Sequence, residues 1–187
     1  MGKIIFCITG LSGTGKSTIC SELNKRLNNK PIIQYTTRPK RKNEIDGIHY
    51  RFVQEEQFCL SALVGEVVCL ERYNVASGDI WLYGYMKEDI YSGGIIPSNP
   101  TSINDLKENK YKVISIKLEL PEYIRLFRIY KRKDNQGLKE IIRRTIDDKK
   151  VMKKYKFDYY VKNKDFNKTI DEIIKIISIE KEKNKKS

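Results

Sequence analysis

Gly10-Leu11-Ser12-Gly13-Thr14-Gly15-Lys16-Ser17 follows directly on the apolar run Lys3-Ile4-Ile5-Phe6-Cys7-Ile8. The segment fits the pattern G-x-x-x-x-G-K-[ST] in its required setting: a strand of buried type, a glycine-rich turn, then a helix. Gly10, Gly13 and Gly15 let the backbone curl until successive N–H groups point inward and surround phosphate oxygens. The helix that opens at Lys16 adds its unpaired N–H groups and the positive end of its dipole. Lys16 is placed to reach the outer phosphates, and the Ser17 hydroxyl to ligate Mg²⁺. Ser12, Thr14 and Thr18 complete the set of residues expected to line a bound nucleoside triphosphate.

Composition sets the outer bounds. The chain has 187 residues, enough for one hydrophobic core with small insertions, and 40% of them are hydrophobic against 33% charged. Its apolar runs are too short to cross a bilayer, and Met1-Gly2-Lys3 enters a strand without signal-peptide anatomy. Cys7, Cys20, Cys59 and Cys69 lack metal-ligand spacing and read as small core residues of a reduced protein, so the cytoplasm is the expected compartment. His49, the single histidine, reads as a strand residue with a local hydrogen bond. The net charge of +13 attracts anionic substrates. Much of it sits in the lysine-rich tail from Glu180, which reads as a frayed helix end, and no alternation of basic and aromatic residues marks a nucleic-acid groove. No membrane or nucleic-acid partner is expected, and monomer and homodimer are both left open.

Periodicity places the first helix over Ser17–Leu27 and strands over Ile32–Thr37, His49–Val53 and Glu66–Tyr73. A helix is expected over Gln54–Leu63, loop or hairpin over Gly78–Gly84, and a short helix over Met86–Tyr91. A brief strand then covers Gly94–Pro97, a helix Pro100–Asn109 and a buried strand Lys112–Leu118. Pro121 opens a helix to about Arg132, Leu138–Tyr155 forms a basic helix, Phe157–Val161 the last strand and Thr169–Lys181 the last helix. Strands alternating with helices imply a mostly parallel sheet covered on both faces.

The block Thr36-Thr37-Arg38-Pro39-Lys40-Arg41, followed by Glu44, Asp46-Gly47, Tyr50 and Phe52-Val53, resembles the guanylate kinase family of nucleoside monophosphate kinases. The likeness continues through Leu70-Glu71, Tyr83-Gly84 and Phe157–Asn163. It implies an α/β fold: a P-loop NTPase three-layer core of residues 1–33, 87–127 and 145–187, an insert over 34–86 that binds the acceptor monophosphate, and a lid over 128–144. ATP and Mg²⁺ are the implied cofactors. By the same resemblance Arg38, Arg41 and Tyr50 hold the acceptor phosphate, Glu71 reads the base edge, and Tyr83 belongs to the acceptor site with Gln34 and Tyr85. The chemistry is consistent, since two guanidinium forks can neutralise a phosphate dianion. Arg128 and Arg132 match lid arginines near the triphosphate. Arg143 and Arg144 both stand where the next one falls, and Arg144 is preferred. Lys16, Arg132 and Arg144 are the expected catalytic set, acting by charge and position.

Departures from the family pattern cluster around the acceptor base and the metal. Gln34 stands where a serine is usual, Tyr85 where Ser or Thr follows Tyr83-Gly84, and about three residues are inserted around Val75–Trp81. The strand Gly94–Thr101 lacks both aspartates of its counterpart, with Ser98, Asn99 and Asp105 as candidate replacements. GMP is therefore expected to be a poor acceptor and another monophosphate to be preferred. Two rival readings are a phosphosugar kinase, whose relatives lack the full Arg41-to-Tyr50 block, and a phosphopeptide-binding module, whose phosphate loop is typically degraded.

Overall fold

Six consecutive buried residues, Ile4–Thr9, form β1, which alternates its side chains between two hydrophobic clusters. A computed structural model describes residues 3–74, 78–131 and 149–186. Along the chain come α1 (Lys16–Arg26), β2 (Tyr35–Thr36), β3 (Arg51–Phe52), α2 (Glu55–Leu63), β4 (Val67–Asn74), β5 (Ile80–Met86) and α3 (Lys87–Ile90). They are followed by β6 (Gly94–Pro97), α4 (Pro100–Glu108), β7 (Lys112–Glu119) and α5 (Glu122–Lys131). Helical residues 149–154 (α6) precede β8 (Tyr159–Lys162) and α7 (Phe166–Lys186).

The first sheet has the order β6-β1-β7-β8, with every neighbouring pair parallel. Ile4, Phe6 and Ile8 face Ile19 and Leu23 of α1 and Ile170, Ile173 and Ile177 of α7. Ile5 and Cys7 face the other way, onto Ile90, Ile103, Leu106, Met152 and Phe157. A parallel sheet between two helical layers buries both faces of its strands, which explains the unbroken apolar run of β1. Burying each such side chain contributes roughly 1.5–3 kcal/mol, so this double layer is the framework on which the loops are hung.

A second sheet, β3-β2-β5-β4, lies wholly within the segment between α1 and α3. β2 is parallel to β3 and antiparallel to β5. The β4–β5 pairing shifts register between Val68 and Glu71, where Cys69 takes φ 54. That conformation is strained for a residue with a side chain. The Cys69 N–H donates to the carboxylate of Asp105 on α4, which satisfies the amide that the bulge removes from the ladder. A bulge of this kind re-aims the strand beyond it. Val68 and Cys69 remain in the core, and Glu71 comes opposite Tyr83.

Several elements differ from the sequence reading. Of the two forms expected for Gly78–Gly84 the structure shows the hairpin, with β5 extending it to Met86. The expected Ile32–Thr37 strand shortens to Tyr35–Thr36, because Ile32 packs against a core cluster instead of joining a ladder. His49 lies in a turn, not a strand, although its Nδ1 does accept a local bond from the Ile45 N–H at 3.0 Å. The end of the chain is not frayed: α7 continues to Lys186. Glu180, only 8% exposed, accepts from the Tyr159 hydroxyl at 2.7 Å and Lys183 Nζ at 2.6 Å. Of the four cysteines Cys7, Cys20 and Cys69 are buried, whereas Cys59 is half-buried.

Candidate active site

The phosphate loop leaves β1 at its carboxyl end, the edge at which open α/β sheets bind ligands. Gly15 caps α1 with φ 92 and ψ 17, a left-handed conformation in which glycine costs least. Lys16 and Ser17 thus occupy the first two helical positions, where N–H groups have no partner within the helix. Gly13, at φ +84, is also held by space: a Cβ there would stand 2.8 Å from the Arg125 carbonyl and 2.9 Å from Ile129 Cγ1. The Thr14 hydroxyl donates to the Leu11 carbonyl at 2.7 Å, locking the turn. Lys16 Nζ donates to the Gly10 carbonyl at 2.7 Å, so its ammonium lies back along the loop it is expected to serve. Ser12 is half-buried, and Ser17 and Thr18 are exposed.

Two residues absent from the sequence-derived site brace this loop from beneath. Arg125, 1% exposed, donates from Nη1 to the Ser12 carbonyl at 3.0 Å. Asn163 donates from Nδ2 to the Thr14 carbonyl at 2.7 Å and lies 3.2 Å from an ideal Cβ on Gly15. Asn163 belongs to the Phe157–Asn163 stretch already noted for its resemblance, so a signal existed. Arg125 carried none, because on an amphipathic helix an arginine reads as surface. Arg128, one turn further along α5, brings Nη1 to 3.7 Å from the same Gly15 Cβ position. Arg125→Met keeps most of the packing but removes the tether on Ser12. Stability is expected to fall by about 1–3 kcal/mol and KM for ATP to rise about tenfold, the mark of lost binding at unchanged chemistry. Urea unfolding and ATP titration measure the two, and an unaltered KM would show that the loop does not depend on the tether.

Four of the predicted acceptor residues, Arg38, Tyr50, Tyr83 and Glu71, form one connected wall. Arg38 is 4% exposed. Its Nη2 bonds Glu44 Oε1 at 2.7 Å and its Nη1 the Pro39 carbonyl at 2.8 Å. The guanidinium lies 5.3 Å from the Tyr50 ring centroid and 5.6 Å from that of Phe52. Burial works to raise the Glu44 carboxyl, but the Arg38 bond, the Arg41 N–H and the charges of both arginines outweigh it and hold the group below its ordinary value. Arg41 gives its backbone N–H to Glu44 Oε2 at 2.9 Å and has its side chain at the surface. Tyr50 meets Tyr83 edge-on at 5.9 Å, and Tyr83 meets Tyr73 at 5.2 Å. The Tyr73 hydroxyl donates to Glu71 Oε2 at 2.7 Å. The wall therefore runs from a buried cation to a carboxylate through three tyrosines.

Gln34, Tyr50, Glu44 and Tyr85 share a cleft of about 620 Å³ with Ser17 and Pro97, which joins the phosphate loop to the second sheet. Glu71 does not line this cleft and is linked to it through Tyr83 and Tyr50. Tyr85, expected to narrow the pocket or stack on a ring, is a core residue. It is 1% exposed, and its hydroxyl donates to the Pro97 carbonyl at 3.1 Å.

Of the three candidate replacements for the missing aspartates, two are committed elsewhere. Asp105 serves the β4 bulge. Asn99 caps α4, accepting from the Ser102 N–H at 2.9 Å, and donates Nδ2 to Glu71 at 2.7 Å. Ser98, 7% exposed at the end of β6, has a hydroxyl with no partner among the described residues beyond the neighbouring Cys7 thiol. Arg132, Arg143 and Arg144 lie outside the described residues. Among the described residues there is no cluster of three or more His, Cys, Asp or Glu able to hold a metal, and no helix is long and apolar enough to cross a membrane.

The profile of the guanylate kinase family matches residues 3–180. A guanylate kinase of Thermotoga maritima is 29% identical over 96% of this chain and 88% of its own length. One from Rickettsia prowazekii is 30% identical over 97% and 93%. The crystal structure of guanylate kinase from Anaplasma phagocytophilum superposes with a TM-score of 0.68 at 22% identity, covering 96% of this chain and 86% of that one, a likeness of fold.

Proposed function

Because the chain belongs to the guanylate kinase family and is a nucleoside monophosphate kinase, we propose that it transfers the γ-phosphoryl group of ATP to GMP or a close relative of GMP. The observation that carries this reading is the wall from Arg38 to Glu71, which offers a phosphate end and a base end on one surface. The acceptor phosphate itself is the nucleophile, so no protein nucleophile is required. Arg38 and Arg41 draw the acceptor phosphate in, and Tyr50 and Tyr83 give it a hydroxyl-lined edge. Lys16 and Arg128, with Arg132 and Arg144 from the 128–144 lid, neutralise the charge of the transferring group. The acceptor insert spans 34–86, and the three core segments carry the triphosphate site.

When bound, Mg²⁺ would supply further neutralisation of the phosphate charge. Hydroxyl oxygen is a donor that suits this hard cation: the Ser17 hydroxyl would hold it, and of the candidate replacements Ser98 keeps a buried hydroxyl with no described partner beyond the Cys7 thiol. The cytoplasm is the compartment that suits the reduced cysteines and this substrate class.

An ADP-coupled assay with Mg·ATP tests the proposal across GMP, dGMP, IMP, AMP, UMP and phosphosugars. Turnover confined to 6-oxopurine nucleotides is expected. Turnover with a phosphosugar alone, or with no acceptor at all, would overturn it.

A further inference from the structure

Glu71 is almost fully occupied by its own protein. Its Oε1 accepts from the Ser102 hydroxyl at 2.6 Å and from Asn99 Nδ2 at 2.7 Å, and its Oε2 accepts from the Tyr73 hydroxyl at 2.7 Å. A carboxylate has about four lone-pair positions in all. Among the described residues three are filled, two on Oε1 and one on Oε2, so a single position on Oε2 remains for a ligand.

Guanine presents two adjacent donors on its Watson–Crick edge, the ring N1–H and the 2-amino group. Reading both needs one acceptor position on each carboxylate oxygen. The donors that fill Oε1 come from α4, outside the second sheet. Asn99 is fixed as the cap of that helix, and Ser102 is 2% exposed. Neither moves away without leaving a buried polar atom unpaired, which costs about 1–3 kcal/mol. The bulge at Cys69, tied to Asp105 of the same helix, keeps β4 and Glu71 against these donors.

We propose that Ser102 and Asn99 set acceptor specificity by saturating one oxygen of Glu71, so that the enzyme reads the N1–H of a 6-oxopurine and is nearly blind to the 2-amino group. The inference rests on the reading of Glu71 as the base-facing carboxylate. Its consequence is a wider substrate class: 6-oxopurine nucleoside monophosphates with or without the 2-substituent. Adenine is still refused, because its unprotonated N1 would face a carboxylate oxygen.

Steady-state kinetics on the full chain with GMP, IMP and AMP gives the test, since IMP differs from GMP only in lacking the 2-amino group. The expected kcat/KM ratio of GMP to IMP is within about tenfold, or 1.4 kcal/mol, with AMP at least about 100-fold poorer than either. Ser102→Ala frees a position on Oε1 and is expected to raise the GMP-to-IMP ratio about tenfold. Ser102→Thr keeps the hydroxyl and should leave the ratio at the wild-type value, a contrast that a loss of stability alone would not produce. A wild-type ratio above about 1,000, or one that Ser102→Ala leaves unmoved, would overturn the inference. Glu71→Gln separates it from the reading beneath it. If that variant lowers kcat/KM for both GMP and IMP, Glu71 reads the base whatever the ratio. If neither changes, the base-facing role of Glu71 fails, and the inference with it.

Discussion

Lys16→Ala is expected to lower kcat by at least about two to three orders of magnitude, the usual loss when one electrostatic stabiliser of a transition state is removed. The fold should survive. Lys16 is half-buried on the loop, its ammonium bonded to the Gly10 carbonyl, and it contributes nothing to either hydrophobic cluster. Removing it leaves the Gly13 and Gly15 turn and the Thr14 lock in place, so a melting temperature close to that of the parent is expected alongside the loss of turnover. Single-turnover phosphoryl transfer and thermal unfolding on one preparation give the two numbers. Near-normal turnover in a folded Lys16→Ala protein would remove the basis for assigning catalysis to this loop.

Arg38→Ala is expected to raise KM for the acceptor and to lower kcat/KM by about 10²–10⁴-fold, since charge-assisted hydrogen bonds contribute roughly 1.5–3 kcal/mol each. The residue is a buried cation, which few arginines are unless paired. Glu44 and the Pro39 carbonyl hold one side of its fork, and Tyr50 and Phe52 flank its plane. That arrangement pre-orders the guanidinium before the acceptor arrives, so little side-chain entropy is lost on binding. Arg38→Lys keeps the charge but not the fork, and should recover only part of the loss. KM for ATP should stay within about threefold in both variants, because uniform loss at both substrates would signal a damaged fold and not a damaged site. An acceptor KM unchanged in folded Arg38→Ala would place the acceptor phosphate elsewhere.

The sequence by itself determined the elements whose signals are local. A buried strand, a glycine turn and a helix opening at a lysine are a sequential motif, and Gly10–Ser17 adopts the turn that its spacing requires. The α/β class follows equally from short-range periodicity, and Arg38, Glu44 and Tyr50 are joined within a few residues of one another. Tertiary structure decided whatever depends on distant partners. Arg125 braces the phosphate loop only because α5 packs beneath it, and no pattern along a helix distinguishes that arginine from an exposed one. Tyr85 lines the cleft from within the core, its ring buried and its hydroxyl tied to the Pro97 carbonyl at the end of β6. The last helix does not fray because Glu180 finds Tyr159 across the fold. The acid-poor segment 94–101, β6 and the start of α4, reads along the chain as a loss of function-bearing groups. In three dimensions Asn99, the cap of α4, and Ser102 within that helix are set against Glu71 and donate to its carboxylate. Hydrogen bonds between residues 28 and 31 positions apart form only after the sheets are placed, so no local propensity announces them.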